Sequence, residues 1–185
     1  FQIVAVSDTL HGSCYDPDGL DAQDLLAAVQ DDRNMSGVIA PTHGWDSLHT
    51  ISESNSDIVV EISYTNLETG EPALSHARAA LQSGKHLVTT NKGPTALHFP
   101  ELLALARKNG VRIGVEGTVM SGTPALRVGI EMLAGASVTR VEGILNGTTN
   151  YILTQMEHGA TYAQALAEAQ AEGYAEADPT SDVEG

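Results

Sequence analysis

An α/β fold is predicted: a parallel sheet built from strand–helix–strand units, followed by a smaller, partial α+β domain. Three observations carry it. Short β-branched runs alternate with helical apolar stripes up to Gly117. Proline opens and glycine closes the helical stretches between them. After Pro124 the alternation gives way to helices around a single alternating run.

In chain order, FQIVAVSD reads as a buried strand, Ile3 to Val6. DPDGLDAQDLLAAVQ supplies a turn and then a helix from about Asp21, with Leu25, Leu26 and Val29 as its stripe. Residues 31–55 carry little pattern, apart from a short helix in GWDSLHTISES. SDIVVEIS has the β-branched continuity of a strand buried on both faces. EPALSHARAALQSGK is a helix between Pro72 and Gly84, with Ala73, Leu74, Ala77, Ala80 and Leu81 facing inward. HLVTT is the next strand, FPELLALARKNG a helix from Pro100 to Gly110, and VRIGVEG a further strand. Beyond it PALRVGIEMLAG reads as a helix and SVTRVEGILNG as a strand through Val138, Val141 and Ile144. TTNYILTQMEHG and TYAQALAEAQAEGYA are two more helices. The domain boundary falls near Ser121 to Pro124, giving domains 1–122 and 123–185.

Of 185 residues, 42% are hydrophobic and 18% charged, which suits one core or one domain plus part of another. No apolar run is long enough to span a membrane, and no signal-peptide pattern opens the chain. Nine basic against twenty-four acidic residues give a formal net charge of -15, which repels a phosphate backbone and excludes a nucleic-acid partner. The seven histidines have no metal-ligand spacing, which argues against zinc. Cys14 is the single cysteine, so a reducing, cytoplasmic setting is expected.

In a parallel sheet, ligands gather at the carboxyl ends of the strands. Here those ends are Ser7-Asp8, Ser63-Tyr64-Thr65, Thr90-Asn91-Lys92 and Glu116-Gly117. Lys92 is one of only three lysines; it is either an exposed loop residue or a cation set against a ligand. EGTVMSGTP exposes main-chain carbonyls suited to a hard monovalent cation, or simply turns between domains. LNGTTNYIL places amides and hydroxyls where a carboxylate or phosphate binds, unless Thr148 or Thr149 only caps the helix. GYAEADPTSDVEG groups Glu176, Asp178, Asp182 and Glu184, either for an ammonium group or as a solvated acidic loop. No Gly-x-Gly occurs, so the first strand, phosphate loop and first helix of a nucleotide-binding sheet are expected before Phe1.

In this order, VVEISYTNLETGEPALSHARAAL, HLVTTNKGP, EGTVMSGTPALR, VEGILNGTTNYIL and AEGYAEADPTSDVEG resemble homoserine dehydrogenase over essentially the whole chain. The resemblance implies a Rossmann domain for NAD or NADP, a second domain for substrate and dimerisation, and interconversion of L-homoserine and L-aspartate 4-semialdehyde. It implies that Lys92 is catalytic and lies between nicotinamide and substrate. Asp8 stands where an acid meets the adenosine ribose, while Ser63, Tyr64, Thr65 and Thr90 match cofactor-facing strand ends. Gly147, Thr148, Glu176 and Asp182 match substrate contacts, and Glu116, Val119, Ser121 and Thr123 match a loop for Na+ or K+. The family's second lysine would follow Gly185, so this stretch alone is expected to be inactive. Another amino-acid or semialdehyde dehydrogenase, or a non-catalytic dimerisation or regulatory module, are the competing readings.

The acidic, lysine-poor composition suits either a salt-adapted surface or plain acidity. Salt adaptation predicts an unfolding midpoint of the whole protein that rises as KCl is added, followed by circular dichroism. A flat or falling midpoint leaves plain acidity.

Overall fold

The computed structural model describes residues 1–32, 34–64 and 66–175, without the side chains of 31 and 32. It divides into two compact units, Phe1–Thr118 and Val119–Gly185.

The first unit holds two three-stranded sheets. One is antiparallel: β1 (Ala5–Asp8), β2 (Gly12–Tyr15) and β3 (Thr42–His43). The Asp8 carboxylate closes the β1–β2 turn by accepting from the Leu10 and His11 amides at 2.8 Å each. Ile3, Val6, Cys14, Leu20, Leu25, Met35 and Val38 pack under this sheet; of the stripe expected on α1 (Ala22–Ala27), Leu25 is buried and Val29, just beyond the helix, packs against the same cluster, whereas Leu26 is exposed. Asp21 caps α1, accepting from Gln23 N at 2.7 Å.

The first strand therefore differs from expectation. It runs two residues later and pairs antiparallel with a strand, Gly12–Tyr15, for which no element was expected. The reason is local: Asp8 and Gly12, with φ at +83°, make a tight reversal that folds GSCY back onto AVSD.

The second sheet is parallel, in the order β4 (Ile58–Glu61), β5 (His86–Thr89), β6 (Ile113–Gly114). α3 (Ala73–Gln82) joins β4 to β5, and α4 (Lys92–Asn109) joins β5 to β6. One sheet face is covered: Val59, Leu87 and Ile113 meet Leu74, Ala77, Ala80, Leu81, Leu102 and Ala106. The opposite face is exposed at Ile58, Val60 and Val88, so β4 is not buried on both sides. Strand side chains alternate, and both described crossover helices pack on the face of Val59 and Leu87.

α4 also begins eight residues before the proline expected to open it. Lys92, Gly93 and Pro94 form its first turn, where a missing proline N–H breaks no helical bond. Pro100 lies inside the helix, which Leu102 and Ala106 hold against the core. α2 (Ser47–Glu53) ends under Lys85, whose buried ammonium donates to the Ile51 carbonyl and, at 2.7 Å, to the Ser54 carbonyl.

In the second unit, α5 (Ala125–Arg127) continues as a wider turn to Met132. α6 (Gly147–Glu157) and α7 (Tyr162–Ala171) pack through Ile152, Ala165 and Ala169. Thr161 and Gln164 form a reciprocal cap at the start of α7. The strand expected through Val138, Val141 and Ile144 is not formed. No strand among the described residues pairs with this segment, and a strand without a ladder leaves its backbone groups to solvent. All three side chains are exposed.

Lys85→Met should lower the unfolding free energy of the whole protein by about 2 kcal/mol, because it strands two carbonyls that accept from a charged donor. Urea unfolding measures this, and an unchanged midpoint would contradict the role given to Lys85.

Candidate active site

The carboxyl ends of β4, β5 and β6 lie side by side because the three strands are parallel and adjacent. Ser63 and Tyr64 follow β4; Thr90, Asn91 and Lys92 follow β5; Glu116 and Gly117 follow β6. Tyr64 and Thr90 are exposed, and Lys92 is an exposed first residue of α4 with no ion-pair partner among the described residues.

Beneath this edge sits Glu61, the last residue of β4 and only 4% exposed. A buried carboxylate is tolerated when hydrogen bonds replace its water. One oxygen accepts from Ser63 N at 3.0 Å and Ser63 Oγ at 2.5 Å, and faces His76 Nδ1 at 3.4 Å. The other accepts from Thr89 Oγ1 at 3.2 Å and Asn91 Nδ2 at 2.5 Å. A carboxylate only accepts, so the His76 nitrogen facing it carries the proton. In the neutral ring Nε2 then accepts from Ser47 Oγ at 2.8 Å, tying the group to the start of α2. Burial pushes the Glu61 pKa up, but the bonds from His76, Ser63 and Asn91 outweigh it and hold the carboxyl below its ordinary value.

Asn91 precedes α4 and would ordinarily cap it, yet it makes no side-chain cap bond. Its amide is engaged by Glu61 and by the Ser63 carbonyl at 2.8 Å. The β4 and β5 ends are thus stitched together one residue before Lys92. Two glycines close the edge. Gly70, at φ +78°, lies where a Cβ would stand 3.4 Å from Pro94 N in the first turn of α4. At Gly117 a Cβ would stand 2.7 Å from Thr90 Cγ2, so a larger residue there would push the Thr90 side chain aside.

The other expected residues lie elsewhere. Asp8 is on the antiparallel sheet, its carboxylate engaged by the hairpin turn and by His11 Nδ1 at 2.7 Å. Burial would raise its pKa, but the His11 and Leu10 amide bonds lower it. Glu116 begins a short 3-10 turn that ends at Thr118. In the second unit Val119, Ser121 and Thr123 lie on the segment before α5, where Met120 and Ser121 hold positive φ of 57° and 50°. Gly147 opens α6, and buried Thr148 donates to the Tyr174 carbonyl at 2.6 Å. The helix is capped by Asn146, which accepts from Thr149 N at 2.9 Å, rather than by either threonine. Thr65, Glu176 and Asp182 lie outside the described residues.

Glu61 and His76 were missed as site residues. The signal for Glu61 was present: a lone acid inside the β-branched run IVVEI must either face water or be paired.

Comparison with known proteins identifies the family. The model of the homoserine dehydrogenase NAD-binding domain matches residues 16–116, and the homoserine dehydrogenase model matches 124–185. An NAD(+)-dependent homoserine dehydrogenase of Pseudomonas canavaninivorans is 50% identical over 184 residues, covering 100% of this chain and 52% of that protein. A homoserine dehydrogenase of Methanocaldococcus jannaschii is 44% identical over 190 residues, covering 100% of this chain and 55% of that one. A hyperthermophilic archaeal homoserine dehydrogenase solved with NADPH superposes with a TM-score of 0.80 at 30% identity, over 98% of this chain and 55% of that one. The Thermoplasma acidophilum homoserine dehydrogenase superposes at 0.75 with 26% identity, over 100% and 55%. The chain spans about half the length of the curated relatives it matches.

A carboxyl held below its ordinary pKa releases its proton more readily in the folded state. Its stabilisation is therefore present above the unfolded pKa and lost as pH falls through the folded one. The stability gap between wild type and Glu61→Gln should be widest above about pH 5 and shrink below about pH 4. Chemical denaturation across that range tests the sign; a gap that widened in acid would reverse it.

Proposed function

The chain belongs to the homoserine dehydrogenase family, and on that premise we propose that the whole protein interconverts L-homoserine and L-aspartate 4-semialdehyde with NAD(H) or NADP(H). The observation that carries this reading is the strand-end edge around Lys92. There an exposed ammonium stands at the carboxyl edge of a parallel sheet, beside exposed Tyr64 and Thr90 and at the first turn of a long helix. That edge fits a nicotinamide nucleotide in chemistry as well as position: amides, hydroxyls and one cation, with Glu61, the buried carboxylate beneath it, already hydrogen-bonded.

When bound, the nicotinamide supplies or accepts the hydride. Lys92 is the catalytic residue: its ammonium faces the substrate oxygen, stabilises the charge that develops there and shares in moving its proton. Ser63, Tyr64, Thr65 and Thr90 line the cofactor side, with Asp8 toward the ribose. Gly147 and Thr148 contact substrate at the start of α6, and Glu176 and Asp182 hold its ammonium group. Main-chain oxygens of Val119, Ser121 and Thr123, with Glu116, suit Na+ or K+; the strained backbone at Met120 and Ser121 supports a loop shaped for such a task. The same reading includes a homodimer, a reducing, cytoplasmic setting and a place on the route to threonine, methionine and isoleucine.

The whole protein should reduce NAD+ or NADP+ with L-homoserine, followed by nicotinamide absorbance. Lys92→Ala should lower kcat by about a hundredfold or more while thermal unfolding stays unchanged. Turnover only with another amino acid or semialdehyde would reassign the substrate. Absence of any nicotinamide binding would leave a non-catalytic module.

A further inference from the structure

We propose that Glu61 is a positioning residue, whose buried carboxylate fixes Asn91 and Ser63 and through them sets Lys92 and the β4 end as one rigid edge. The catalytic half of this proposal rests on the dehydrogenase reading; the structural half does not.

The geometry is specific. Glu61 Oε2 and the Ser63 carbonyl both receive the Asn91 amide, at 2.5 and 2.8 Å. The Asn91 backbone N–H in turn donates to Thr89 Oγ1 at 3.0 Å, and that same hydroxyl donates to Glu61. Asn91 is therefore held by backbone and side chain, both connected to one carboxylate. Its side chain does not serve the helix it precedes. An asparagine at an N-cap that gives up its capping bond is spent on something other than helix stability. The residue after it is Lys92.

Below, the carboxylate is braced from a third element. His76 of α3 faces Glu61 and Ser63 Oγ, at 3.4 and 3.3 Å, and reaches Ser47 of α2 on its other nitrogen. No buried side-chain polar atom among the described residues lacks a partner, and loss of the Glu61 carboxylate would leave the Ser63, Thr89 and Asn91 donors without their shared acceptor. Substituting Gln at 61 keeps size and keeps an acceptor for Ser63. It turns a donor toward the Asn91 amide, so that one bond becomes a clash between two N–H groups.

The test uses the whole protein with no added ligand, by amide hydrogen exchange, and then with cofactor and L-homoserine. Glu61→Gln should speed exchange at residues 90–93 about tenfold or more beyond any change at residues 77–81 and 87, which follow the global stability alone. It should lower kcat about tenfold to a hundredfold, with homoserine KM nearly unchanged. Asn91→Ala, which leaves every other bond of Glu61 in place, should reproduce both effects, and the double variant should be no worse than either single one. Unchanged exchange at 90–93 in both variants overturns the proposal. So does uniform loss of protection across the first unit, which would mark Glu61 as a general stabiliser. If wild type shows no turnover while the local exchange change is present, the dehydrogenase reading falls and the link from Glu61 to the α4 start stands.

Discussion

One buried negative charge shapes the candidate site. A carboxylate at 4% exposure survives in a fold only if hydrogen bonds replace its water, and Glu61 has that replacement from residues that also form the ligand edge. Ser63, Thr89 and Asn91 are where they are because Glu61 needs donors. The strand ends of β4 and β5 are drawn together by the same bonds. His76 extends the constraint to α3, and Ser47, bonded to the other nitrogen of His76, extends it to α2.

The start of α4 is the second consequence. With Asn91 occupied by Glu61, the first helical turn is Lys92, Gly93 and Pro94, and its amino end is left without a side-chain cap. The positive pole of a long helix and an ammonium group then stand together at the sheet edge. In a chain of net charge -15 this is a rare concentration of positive character, and it suits a group that gains negative charge during reaction. Gly70 takes the positive φ of +78° that its turn beside α4 requires, and Gly117 lets the loop after β6 approach Thr90 without a Cβ in the way.

Much of this was legible in the sequence, for identifiable reasons. The two crossover helices, the order of β4, β5 and β6, and the location of Lys92 follow from apolar periodicity and from proline and glycine placement. The antiparallel hairpin did not, because Asp8 and Gly12 act through a turn whose strands are each only four residues long. The start of α4 was read at Pro100 because a proline at a helix opening is common, whereas here Pro94 already fills that place. The alternation through Val138, Val141 and Ile144 describes a strand, but a pattern supplies no partner, and none of the described strands pairs with it. The Glu61 network was missed because its members lie far apart in sequence, from Ser47 to Asn91, and only the packed sheet brings them within hydrogen-bonding distance.

The central claim is that Lys92 meets the reacting oxygen at the end of β5. A crystal structure of the whole protein with NAD+ and an unreactive homoserine analogue measures this directly. The Lys92 ammonium is predicted within about 3 Å of the analogue's side-chain oxygen. An ammonium turned away from that oxygen, with the analogue bound at another strand end, would contradict the account.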